Sequence, residues 1–159
     1  MKTVCRAGQD NYDKRELLMK YWLTLAVFLS AAILMGADAA TYIGHDKVTD
    51  ALAKGGSLTA TKEYTVSGAH RAAAGQVEMH EKETDILYVM DGEATFVTGG
   101  TMVGGKMSKA GQWLGTDITG GQTHHLTKGD VITIPAGMPH WFKEVPKSVS
   151  YFVVKVLKE

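Results

Sequence analysis

The sequence predicts an all-β domain, a sandwich or small barrel, preceded by one short helix. Three observations predict it. Eight short runs with strand character follow one another between Leu58 and Leu157. Glycine-bearing turn signals separate them, and many short strands with regular punctuation indicate a sandwich or barrel. Helical spacing is confined to Asp46–Lys54, with Val48, Ala51 and Leu52 on one face, Asp46 placed to cap the start and Gly55 to supply the stop.

In chain order, the first feature is an address. Trp22–Met35 reads WLTLAVFLSAAILM, fourteen residues without a charge, whereas a membrane-spanning helix needs ~20. Lys20 precedes this run and Ala37-Asp38-Ala39 follows it, the pattern of a signal peptide cleaved after Ala39. Residues 1–39 are therefore expected to be a leader and residues 40–159 the folded domain, with Met19 a candidate start. The alternatives are an uncleaved anchor or a buried helix. Processing would remove Cys5, the only cysteine, so the domain would hold neither disulfide nor thiolate ligand. It implies a periplasmic or secreted protein with no membrane span after processing.

The expected strands are Leu58–Val66, Gln76–His80, Asp85–Met90, Glu93–Thr98, Gln122–Leu126, Val131–Ile134, Trp141–Val145 and Val149–Leu157. Turns are expected at Asp91-Gly92, Gly99-Gly100, Gly120-Gly121, Lys128-Gly129-Asp130 and Pro135-Ala136-Gly137. Thr101–Thr119 is glycine-rich and is expected to be a long loop, either functional or mobile. Basic and acidic residues number 17 each, and this zero balance argues against a dedicated nucleic-acid binder, which needs a basic surface. Removing the leader leaves 12 basic and 13 acidic residues and keeps all six histidines.

The chemistry concentrates in two segments. Glu78 and His80 are two apart on one strand and so share a face. Asp85 heads the next strand, and His140 follows the turn Pro135–Pro139. Brought together, these give two imidazoles and two carboxylates, a set that suits a borderline divalent metal better than calcium. Two carboxylates would neutralise one such ion; without it, Glu78 and Asp85 should repel and one should stay protonated. The bland alternative is a degenerate site that binds nothing. His124 alternates with Leu126 and should face inward, either as a further ligand or general acid–base, or simply hydrogen-bonded within the barrel. His125 should face solvent, as should Lys82 and Glu83. Tyr88 should point away from the pocket, Trp141 and Phe142 should make core or dimer contacts, and Met79 and Met90 should fill core. No Ser-His-Asp order, phosphate loop or zinc-protease motif stands out.

Residues 78–92, E-M-H-E-K-E-T-D-I-L-Y-V-M-D-G, resemble the first motif of the cupin superfamily, H-x-H-x(3,4)-E-x(6)-G. Residues 129–140, G-D-V-I-T-I-P-A-G-M-P-H, match every fixed position of the second, G-x(5)-P-x-G-x(2)-H. The resemblance puts Glu78 at the first histidine, His80 at the second, Asp85 at the glutamate and His140 at the third histidine. Ala72 stands at the first motif's opening glycine and Glu144 at the second's final asparagine. It implies a double-stranded β-helix, or jelly-roll barrel, with one divalent transition metal (iron, manganese, nickel or zinc) on Glu78, His80, Asp85 and His140. It also implies a homodimer and a small-molecule ligand or substrate. Two functions stay open: an enzyme of dioxygenase, isomerase or lyase type with His124 moving a proton, and a binding module without turnover. A barrel with a purely structural role is a weaker third.

Overall fold

The structure is a computed structural model that describes residues 39–158. The expected signal segment, Trp22–Met35, lies outside them. A compact unit begins at Thr41. No helix among the described residues is long and apolar enough to cross a membrane.

Helix α1 (His45–Lys54) starts one residue earlier than expected, with Gly44 at its N-cap. Asp46 therefore sits in the first turn rather than capping it, where the positive end of the helix dipole favours a carboxylate. Gly55 ends the helix at a φ of 77°, its N–H donating to the Ala51 carbonyl.

The strands are antiparallel and form two layers. One layer runs β1 (Gly56–Ala60), β2 (Tyr64–Arg71), β12 (Val149–Leu157), the first half of β4 (Glu83–Thr98) and β10 (Val131–Ile134). The other runs β9 (Gln122–Thr127), the second half of β4, β11 (His140–Glu144), β3 (Val77–His80), β7 (Gln112–Gly115) and β6 (Lys106–Lys109). Leu87, Val89, Phe96, Leu126, Ile134, Phe142 and Tyr151, drawn from both layers, form one buried cluster. Ala51 of α1 closes onto β2 at Gly68, where a Cβ would meet the Ala51 backbone at 2.7 Å. This is the jelly-roll arrangement expected.

Three expectations about strand boundaries are corrected. Leu58–Val66 is not one strand but a hairpin, because the Thr61 hydroxyl accepts the N–H groups of Glu63 and Tyr64 and turns the chain. Asp91-Gly92 is not a hairpin turn; β4 runs through it as a single 16-residue strand. The β12 register slips there, Ser150 facing Asp91 and Tyr151 facing Val89, which is a bulge. One extra residue switches the inward positions from Asp85, Leu87 and Val89 to Ala94 and Phe96, so β4 crosses from one layer to the other. Gly92, at a φ of 77°, is obligatory, since a Cβ would lie 2.0 Å from the Ser148 carbonyl oxygen. Thr101–Thr119 is not a loop. It folds as a ribbon of β5 (Thr101–Val103) with β8 (Asp117–Thr119), enclosing the β6–β7 hairpin. The outer edge of β3 needed a hydrogen-bonding partner, and β7 supplies it.

Candidate metal centre

Register places the candidate residues. On β3, Glu78 faces His140 of β11 on one side and Leu114 of β7 on the other, while His80 faces Gln112 of β7. The turn Pro135–Met138 docks through the Gly137 N–H on the His80 carbonyl at 2.7 Å, which carries His140 to the first position of β11. From the opposite layer, Asp85 of β4 stands directly across from Lys155 of β12. Four of the expected residues therefore meet between the layers.

His80 Nε2 lies 3.6 Å from Glu78 Oε2 and 3.5 Å from Asp85 Oδ2, and His140 Nε2 lies 3.9 Å from Asp85 Oδ2. The two imidazole centroids are 5.1 Å apart. His80, Asp85 and His140 are buried. Their polar atoms nevertheless fall into two groups, Glu78–His80–His140 and His80–Glu83–Asp85, which share only His80.

The imidazoles are set to offer lone pairs. His80 Nδ1 donates to Gln112 Oε1, and His140 Nδ1 donates to the Met138 carbonyl at 3.1 Å. Each ring is thereby held with a bare Nε2 turned into the cluster. Burial holds His140 below the usual imidazole pKa, outweighing its carbonyl bond and the Asp85 charge, so the ring is neutral at neutral pH. His80 Nε2 is buried without a hydrogen-bond partner. A buried imidazole nitrogen with no partner, facing two carboxylates, fits a divalent cation.

The carboxylates are not the repelling pair expected, since protein cations counter both. Arg71 Nη2 donates to Glu78 Oε1 at 3.2 Å, leaving Oε2 for the cluster. Arg71 also reaches the Tyr151 hydroxyl at 3.0 Å and lies 4.7 Å over the Phe142 ring. Burial alone would lower the Arg71 pKa, but Tyr151 and Glu78 raise it, and the guanidinium stays charged. Lys155 Nζ lies 2.9 Å from both oxygens of Asp85 and 2.9 Å from Glu83 Oε2. Glu83 is accordingly not the solvated residue expected. It sits two residues before Asp85 on β4, on the same inward face, and Gln112 Nε2 donates to its Oε1 at 2.7 Å. Burial pushes the Glu83 pKa up, yet Lys155, His80 and Gln112 together bring it below its usual value.

His124 pairs in register with Phe96, which is fully buried, so it faces inward as alternation predicts. Its Nε2 lies 2.8 Å from Thr98 Oγ1, and it belongs to neither ligand group. His125 and Tyr88 are exposed, and Phe142 is buried.

Sequence reasoning missed Arg71, Gln112 and Lys155. Lys155 had a signal: it is the one charge in Val149–Leu157, and alternation from the aromatic Tyr151 through Val153 turns it inward. Gln112 had none, because it lay in a segment read as loop.

The family model described as Cupin matches residues 64–158. No curated protein matches the sequence. Among solved structures, BH2720 from Bacillus halodurans is similar over 77% of this chain and 86% of its own, at 11% identity and a TM-score of 0.53. The Cnp3 cupin domain of Schizosaccharomyces pombe matches 65% of this chain at 12% identity and a TM-score of 0.47. The DMSP lyase DddQ from Ruegeria pomeroyi also matches 65%, at 19% identity and 0.45. The match spans 59% and 42% of the length of those last two. At such identities the likeness is one of fold alone.

Proposed function

Since this chain belongs to the cupin family, we propose that it is an exported cupin holding one divalent transition metal on Glu78, His80 and His140 to serve small-molecule chemistry. The observation that carries this is the buried, unpartnered His80 Nε2, with Glu78 Oε2 at 3.6 Å and the second imidazole beside it. Two histidines and one carboxylate with open positions suit iron, manganese, nickel or zinc. Bound there, the ion supplies Lewis acidity toward substrate oxygens or, if it is iron, access to dioxygen.

The chain's own residues prepare the site. Gln112 and the Met138 carbonyl hold the two rings in the tautomer that leaves Nε2 bare. Arg71 takes one oxygen of Glu78 and so aims the other inward. Asp85, the fourth ligand suggested by the cupin motif, is engaged by Lys155 and contributes charge rather than a bond. We assign proton movement to His124, whose partner Thr98 stands opposite His140 in register.

Export rests on Trp22–Met35 and the small residues after it, and amino-terminal sequencing of the secreted or periplasmic protein should read from Ala40. A homodimer is supported by the outer face of the first layer, where Val131 (61% exposed), Tyr88 (43%) and Phe152 align in one cross-strand row.

Elemental analysis of protein purified without a metal-affinity tag tests the metal. His80→Ala and His140→Ala should each lose the ion, and wild-type occupancy in both would remove these residues from the site. Oxygen consumption and turnover with carboxylates, diols and catechols would mark an enzyme. Ligand-dependent melting shifts without turnover would mark a binding module.

A further inference from the structure

Lys155 stands where a second cation-binding set would otherwise exist. Asp85, Glu83 and His80 converge closely enough to hold a metal, and the ammonium lies 2.9 Å from three carboxylate oxygens of that set. Two of those contacts are hydrogen bonds donated to Asp85, and the third is an ion pair with Glu83. The placement is built in, because Lys155 and Asp85 are directly opposed in the β12–β4 ladder.

We infer that Lys155 is an internal cation that holds Asp85 out of the ligand set and so keeps the centre at three protein ligands with open positions. The inference rests on the proposed metal site. Setting the imidazoles aside, the carboxylates of Glu78, Glu83 and Asp85 carry three negative charges, and Arg71 and Lys155 return two positive ones. The cluster is therefore one charge negative before any ion enters, and a divalent ion leaves it one charge positive. Removing the Lys155 charge makes the empty cluster doubly negative and the loaded one neutral, and it frees Asp85, whose Oδ2 lies beside His80 Nε2 and His140 Nε2. Both changes favour the ion, through stronger attraction in a poorly solvated site and through an added ligand. Lys155 thus gives up affinity and leaves room for a substrate oxygen at the ion.

The test is a Co²⁺ titration of the purified protein, followed by visible absorption, which reads both affinity and ligand field. Lys155→Met should bind Co²⁺ on the order of 10- to 100-fold more tightly than wild type, with an altered visible spectrum. Lys155→Met combined with Asp85→Asn should lose that gain. Lys155→Gln removes the charge while keeping a polar group, and it decides the matter if Lys155→Met has no cooperative unfolding transition. Unchanged or weaker binding by both single variants, beside a wild type that binds, would overturn the inference and leave the metal site standing. Binding by a Lys155 variant but not by wild type would overturn both the inference and the functional reading, because Lys155 would then stand in place of an ion rather than tune one. Absence of Co²⁺ binding in every form would sink both.

Discussion

Gln112→Met separates positioning from packing at the metal centre. The replacement keeps length and bulk but loses two hydrogen bonds: acceptance from His80 Nδ1 and donation to Glu83 Oε1. Glu83 keeps Lys155 and suffers little. His80 is 8% exposed, so its Nδ1–H loses its partner with almost no water to replace it. An unsatisfied buried donor costs ~1–3 kcal/mol. For a domain of roughly 120 residues each kcal/mol moves Tm by about 4 °C, so metal-free protein should melt about 4–12 °C lower. Freed of its orienting bond, His80 can also protonate at Nε2 instead of Nδ1 or turn, and loss of such an outer partner typically weakens metal binding ~10–100-fold. Calorimetry in chelator measures the first effect, and Co²⁺ titration at a temperature where both proteins are folded measures the second. A lower Tm with unchanged affinity would show that Gln112 is only structural. If neither quantity moves, the bond to His80 does not matter in solution.

Gly68→Ala should destabilise the domain by ~1–3 kcal/mol, as measured by denaturant unfolding, because its Cβ would lie 2.7 Å from the Ala51 carbonyl carbon and lift α1 off β2. Glu83→Gln tests the ion pair through pH. The native Glu83 pKa lies below its usual 4.5, so the unfolded chain takes up the proton first and the carboxylate stabilises the fold only above that range. The Tm advantage of wild type over Glu83→Gln should be full above pH 4.5 and close as pH falls through the native value; an advantage independent of pH would refute the pairing. Tyr88→Glu together with Val131→Glu should convert a dimer to monomer in light scattering with little change in Tm, since both side chains are exposed in the single chain; a dimer that survives both charges does not use this face.

The strands at Val131–Ile134 and Val149–Leu157 were legible residue for residue, because their composition and spacing are local properties. The turn Pro135–Gly137 and the residues Glu78, His80 and His140 were legible as motif. Asp91-Gly92 misled because the same dipeptide serves a hairpin or a bulge. The partner strand decides between them, and here β12 pairs across both halves of β4. Thr101–Thr119 misled because short, glycine-flanked, half-exposed strands carry little periodic signal. Their pairing answers an edge of β3 that local sequence does not reveal.

By itself the sequence determined the all-β class, the two motif segments and which side chains could offer lone pairs to an ion. Only the tertiary structure decided how the charges balance. Arg71 and Lys155 reach their carboxylates from other strands, Lys155 across a separation of 70 residues, and a Coulomb interaction depends on distance through space, which sequence separation does not reveal. Tertiary packing likewise supplied Gln112, whose register against His80 fixes the tautomer on which any metal ligation by that ring depends.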